Sequence, residues 1–226
     1  FSYLFTGTMQ HRDSLGNDMI IGPGAVNLMT AGSGIVHSER SDAESRANIS
    51  QLFGIQSWLA LPQSLEESAP SFEHYSDSSL PQFSEGGVEG RVLLGEWSGL
   101  KSPVSFPWDS LYVDFQMSEN GVVYFPKDLQ ERAVYSARGA IEVDGVLYPK
   151  SELLILAPGR EVQIVAPDGA RVLVFGGEPL YGPRHFWWTF VSSSKVRIEQ
   201  AKIDWVDGRF AHVPGEDEFI PLPENS

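Results

Sequence analysis

The sequence predicts an all-β protein of two domains closed by one short C-terminal helix, and three observations predict it. Twenty-two glycines and fifteen prolines punctuate short runs of β-branched and aromatic residues, the composition of a sandwich or barrel. A helical period of apolar residues is evident mainly in one place. The chain also matches itself, which points to a duplicated unit.

Taken in order, the clearest strand runs are Val88–Leu94, Ser110–Met117, Ala140–Val146, Leu153–Ala157 and Arg171–Phe175. The helix falls on Ser193–Val206, where Val196, Ile198, Ala201, Ile203 and Trp205 recur among charges until Gly208 stops them. Pro62–Gly90 holds three prolines and many Ser, Glu and Gly with little period, and reads as a long connection. The expected organisation is therefore a first domain over 1–62, a connection over 63–90, a second domain over 91–180, and a helix and tail over 181–226 that return to the first domain.

The internal match is sparse but ordered. Tyr3-x-x-x-Gly7 returns as Tyr135-x-x-x-Gly139, and Pro23, Ala31 and Val36 return as Pro149, Ala157 and Val162. The second spacing is shorter than the first, which fits a longer hairpin between Thr8 and Gly22 in the first copy. The later copy has strand-like material before Tyr135, at Tyr112–Met117 and Val122–Phe125, while only two residues precede Tyr3. The first domain is accordingly expected to be truncated at its N-terminus.

Composition excludes several chemistries. No cysteine occurs, so disulfide scaffolds, thiolate zinc sites, iron–sulfur clusters and cysteine nucleophiles are out. Sixteen Lys and Arg against thirty Asp and Glu give a formal charge of −14, which argues against direct binding to nucleic acid or anionic lipid. No apolar run reaches membrane-spanning length and no signal peptide opens the chain. The expectation is a soluble, cytoplasmic protein.

A transition-metal site here would have to use imidazole and carboxylate. Five histidines are present, at 11, 37, 74, 185 and 212. His37-Ser38-Glu39 is the best local candidate, because residues i and i+2 of a strand share a face and can converge on one ion. His11 and Asp13 would share a face in the same way. An arbitrary His-x-Glu pair is more often merely exposed or hydrogen-bonded, and two donors do not make a selective site. In the second copy His37 maps to Gln163 and Glu39 to Val165, so that domain lacks both ligands. Gly32-Ser33-Gly34 reads as a tight turn rather than a phosphate loop, since no Lys-Ser/Thr follows. No Gly-x-Ser-x-Gly elbow supports a serine hydrolase. Asn48-Ile49-Ser50 is a glycosylation sequon without a secretion signal, Glu216-Asp217-Glu218 reads as a solvated tail, and Trp187-Trp188 reads as packing.

These residues carry a family likeness. Gln10-His11-Arg12-Asp13-Ser14-Leu15-Gly16, Gly22-Pro23-Gly24, Met29-Thr30-Ala31-Gly32-Ser33-Gly34-Ile35-Val36-His37-Ser38-Glu39, Gly54-Ile55-Gln56-Ser57-Trp58, Gly177-Glu178-Pro179-Leu180 and the tail from Arg184 to Pro223 together resemble the pirin family over essentially the whole chain. The resemblance implies a bicupin: two cupin-type antiparallel β-barrels with a short C-terminal helix. It implies one iron ion in the N-terminal barrel, held by three histidines and a glutamate, of which the last two fall on His37 and Glu39. The other two histidines belong to a His-Pro-His motif expected upstream of Phe1 and absent from this sequence. Phe125-Pro126-Lys127 stands where that motif would fall in the second copy, which implies a metal-free second barrel. With His37 and Glu39 alone, and with His11 or His74 not expected to replace the missing donors, the chain is expected to hold iron weakly or not at all.

The resemblance further implies quercetin 2,3-dioxygenase-type ring cleavage of a small aromatic substrate such as a flavonol. Glu39 would then be the catalytic base, with His11, Met29, Gln56 and Trp58 as candidate pocket residues. The alternative is an iron-dependent, redox-sensing regulatory protein acting through a protein partner; a metal-free bicupin holding a small molecule is a third reading. The resemblance leans toward a monomer.

Overall fold

The computed structural model describes residues 1–41, 47 and 51–223; the sequon at 48–50 lies outside them. The described residues form strands and one α-helix of appreciable length, as the glycine and proline punctuation predicts. They divide into two compact units, one of residues 1–77 with 180–226 and one of residues 78–179.

The N-terminal part of the first unit, residues 1–77, has seven strands among its described residues: β1 (Ser2–Thr6), β2 (Met9–Asp13), β3 (Asp18–Ile21), β4 (Val26–Thr30), β5 (His37–Arg40), β6 (Phe53–Gln56) and β7 (Ser71–Tyr75). One sheet has the order β6-β1-β4-β7 and the other β3-β2-β5, all antiparallel. Period two decides which residues meet. Leu4, Met9, Ile21 and Ala25 form an apolar cluster, and the residues two further along β2 and β4 are His11 and Asn27, both buried. Gly54 lets β6 lie close to β1, because a Cβ there would come within 2.7 Å of the Tyr3 carbonyl oxygen.

The second unit repeats this wiring. The strand Glu131–Arg138 lies between Leu153–Leu156 and Ala170–Gly177, as β1 lies between β4 and β6. Ile141–Val143 lies between Val146–Tyr148 and Val162–Ala166, as β2 lies between β3 and β5. The shared pairing pattern is the duplication read from the sequence. The run 140–146 is not one strand, since Asp144 and Gly145 both take positive φ, 49° and 81°, and turn it into a hairpin of the Asp-Gly kind. A core of Val92, Val113, Phe115, Phe125, Val134, Ile164, Val172 and Val174 fills the unit, each large side chain stabilising it by about 1.5–3 kcal/mol.

Three further expectations change. Residues 63–90 are not a bare connection: they contain β7 and the strands Gln82–Glu85 and Val88–Leu94. Glu66 within them accepts from the Ser193 backbone N–H at 2.9 Å and pairs with Arg184 at 2.7 Å. The mapping of His37 and Glu39 onto Gln163 and Val165 is out of phase by one residue. Val162, Ile164 and Ala166 are the buried positions of their strand while Gln163 and Val165 alternate with them, and a one-residue slip exchanges the faces of a strand. The inward positions are still apolar. Finally, Glu216 does not trail into solvent, as described below.

The helix α1 (Lys195–Val206) starts on Ser194, whose hydroxyl accepts from the Arg197 N–H. It packs near the hairpin of His185–Trp187 and Phe190–Ser192 through an aromatic cluster: Trp188 meets Trp205 edge-on at 5.3 Å and Phe190 stacks on Phe210 at 5.9 Å between centroids. No helix among the described residues is long and apolar enough to cross a membrane.

Candidate metal centre

The pairing of β2 with β5 sets His11 opposite Glu39 and Asp13 opposite His37. Since alternate residues share a face, this register brings His11, His37 and Glu39 together, with one donor atom from each lying within 4.8 Å of the others. His11, expected as a pocket residue and not as a replacement donor, is thus set beside the pair by a long-range register that no local motif encodes. His37 keeps an exposed edge, whereas His11 is 1% exposed.

Each member is held by neighbours. The Asp13 carboxylate lies 3.1 Å from His11 Nε2 and accepts the hydrogen bond of its N–H, leaving Nδ1 on the side of Glu39, 3.9 Å from Oε1. A carboxylate behind an imidazole is the outer partner that metal-ligating histidines ordinarily have. Asp13 is itself fully buried and accepts from the Leu15 and Asn17 backbone N–H groups and from the Asn17 carboxamide. Burial opposes its ionisation, but these donors and His11 outweigh it and hold its carboxyl below the ordinary value. The His11 ring stacks on Phe72 with centroids 4.3 Å apart.

Glu39 receives hydrogen bonds from Ser2 Oγ at 3.2 Å and from Gln56 Nε2 at 2.5 Å. Burial would raise its carboxyl, yet nearby His11, the hydrogen bonds from Gln56 and Ser2 and the charge of His37 prevail, so it is lowered. For His11 burial acts downward and is overcome by Glu39 and Asp13, which raise the imidazole. The outcome is an anionic, hydrogen-bonded shelf for a cation. Two imidazole nitrogens and one carboxylate oxygen suit a divalent ion with open positions, the pattern of non-haem iron sites. The donors fit, because an ion would need them only to close to about 2.0–2.2 Å of itself.

The remaining predicted residues divide. Gln56 belongs to the centre through Glu39. Met29 faces Phe72 across the β4–β7 ladder. Trp58 does not join: β6 ends at Gln56, the Ser57 N–H bonds back to the Phe1 carbonyl, and Trp58 is 62% exposed. Sequence reasoning missed Ser2, Asn27 and Phe72 and gave His74 no place. Only strand alternation around the His-x-Glu pair could have hinted at them.

The outward residues of the same strands hold the tail. Ser38 Oγ donates to Glu216 at 2.8 Å, Arg40 bonds both its oxygens, and Arg12 reaches it at 3.3 Å. Arg40, Ser38 and Arg12 depress the Glu216 carboxyl from 4.5 to about 2. A carboxyl depressed on folding stabilises the fold above its unfolded value and ceases to do so as pH falls through its folded value. Glu216→Gln is therefore expected to lower the melting temperature at pH 7, and the gap from wild type should close between about pH 4.5 and 2. A gap that persists unchanged at pH 2 would contradict this role.

Comparisons with known proteins agree with the wiring. Residues 1–59 match the model of the pirin family and residues 112–211 that of the pirin C-terminal cupin domain. A pirin-like protein of Caulobacter vibrioides is 44% identical over 226 residues, covering 99% of this chain and 77% of its own length. A solved quercetin 2,3-dioxygenase from Acinetobacter baumannii superposes with a TM-score of 0.90 at 32% identity, over 100% of this chain and 75% of its own. The bacterial pirin YhhW of Escherichia coli, solved in complex with nickel(II), shares the fold with a TM-score of 0.62 at 22% identity over 79% of this chain and 72% of its own. With its two-domain bicupin architecture and near-complete match to these relatives, the chain belongs to the pirin family.

Proposed function

We propose that this protein is a metal-dependent oxygenase of the quercetin 2,3-dioxygenase type, acting on a small flavonol-like molecule. The carrying observation is the convergence of His11, His37 and Glu39 with Asp13 behind His11. Likeness to the Acinetobacter baumannii quercetin 2,3-dioxygenase supports the substrate class. Iron(II) is the ion favoured by this donor set, and when bound it supplies Lewis acidity toward a hydroxyl and carbonyl oxygen and the capacity to react with dioxygen.

The chain's own groups do the rest. Asp13 fixes the tautomer and direction of His11, and Ser2 and Gln56 fix the rotamer of Glu39. The open edge of His37 faces the approach of a ligand, and Phe72 and Met29 offer it an apolar wall. Glu39 can take a substrate hydroxyl proton only once the hydrogen bonds that depress it are relinquished, because a carboxylate held low is a weak base. That exchange would couple arrival of substrate to activation of the base.

Iron-loaded protein is expected to consume quercetin with release of carbon monoxide, and His37→Ala to abolish it. Protein that carries one iron per chain and leaves quercetin untouched would overturn the activity.

A further inference from the structure

The sheet facing the candidate metal centre carries a row of four polar side chains, and only half of it serves that centre. Register sets Ser2 opposite Gln56 and also opposite Asn27, and Asn27 opposite His74, so all four cross the sheet on one face. Gln56 and Ser2 direct their hydrogen bonds to Glu39. Asn27 and His74 are turned to each other, with His74 Nδ1 lying 2.7 Å from Asn27 Oδ1. With the amide oxygen turned to the ring, the His74 Nδ1–H is the donor of this pair and Asn27 Oδ1 the acceptor. Its Nδ2 is thereby directed away from His74. Asn27 is 3% exposed, and this Nδ2 is buried with no hydrogen-bond partner.

Buried donors without partners are few in folded proteins, and each calls for an account of what completes it. The polarity of the group restricts what that can be. An N–H donor repels a cation, so the metal cannot satisfy it; an acceptor oxygen can. The next pair along the same face of β4 and β7 is Met29 and Phe72, which sets an aromatic and a thioether side chain beside the donor. Such a combination selects a planar aromatic body bearing an acceptor oxygen.

We propose that Asn27, oriented by His74, is the hydrogen-bond donor for a carbonyl or enolate oxygen of a small aromatic ligand bound in the first unit. This deepens the oxygenase reading and rests on it for the choice of ligand class. Asn27 positions and selects the ligand; it takes no part in holding the metal.

The test titrates quercetin, and catechin as a ring system without the carbonyl, against wild type, Asn27→Asp and Asn27→Leu, following tryptophan fluorescence with and without iron. Asn27→Asp retains the oxygen that faces His74 and replaces the donor by an acceptor; Asn27→Leu removes both at similar volume. Quercetin is expected to bind about tenfold or more weakly to both variants, catechin equally to all three proteins, and iron with unchanged stoichiometry. Unchanged quercetin affinity in both variants overturns the inference, even where turnover supports the oxygenase reading. Asn27-dependent binding without turnover sinks the oxygenase reading and leaves the inference standing. A wild type that binds no quercetin overturns both.

Discussion

Arg132→Met is expected to destabilise the second unit by about 3–5 kcal/mol, the cost of breaking a buried, hydrogen-bonded charge site. Arg132 is 2% exposed. Its Nη1 donates to the Pro126 and Arg160 carbonyls at 2.8 and 2.7 Å, its Nη2 donates to the Ala157 carbonyl, and the guanidinium lies 5.6 Å from the Phe125 ring centroid. Burial first, and then the charge of Arg160, lower its affinity for the proton. The cation that ties these loops together is thus part of the chain. Removing it leaves carbonyl oxygens facing an apolar side chain, each costing about 1–3 kcal/mol when unpaired. Arg132→Lys should recover little, because one ammonium cannot reproduce the flat fork that reaches three carbonyls. Urea unfolding followed by fluorescence measures it, and a loss under about 1 kcal/mol would show that the carbonyls find other donors.

The second large effect is on metal affinity. Glu39→Ala removes the anionic donor and leaves two imidazoles, so one-to-one iron binding is expected to fall by at least about a hundredfold. Asp13→Asn leaves all three donors in place and removes only the carboxylate behind His11; loss of such an outer partner typically weakens metal binding by about 10–100-fold. Anaerobic titration of iron(II) against wild type and both variants reads these numbers. Equal affinity in wild type and Asp13→Asn would mean that His11 is a packed histidine and not a ligand.

How much of this was legible in the sequence follows from range. His37 and Glu39 were legible because two positions on one strand suffice to place them together. The helix was legible because its apolar period and the Gly208 that stops it are both local. The pairing pattern of the two units was legible as a repeat, although the identity offsets put Gln163 and Val165 on the wrong face by one residue. His11 joined the centre through the β2–β5 register, and Asn27 and His74 met through the β4–β7 register; neither partner lies near the other in the chain. Glu216 was misread for the same reason, since its partners Arg12 and Arg40 lie at the other end of the sequence. Trp58, offered by the resemblance alone, lies past the end of β6 and is exposed. The strands within 63–90 were hidden by their prolines and serines, residues that suit strand ends and turns as well as linkers.

The most direct test of the central claim is anomalous diffraction at the iron or nickel edge from crystals of the protein grown with the divalent ion. The account predicts a single peak in the first unit, about 2.0–2.2 Å from His11 Nδ1, a His37 ring nitrogen and a Glu39 oxygen. No peak there, or a peak coordinated by His37 and Glu39 with His11 still stacked away on Phe72, would contradict it.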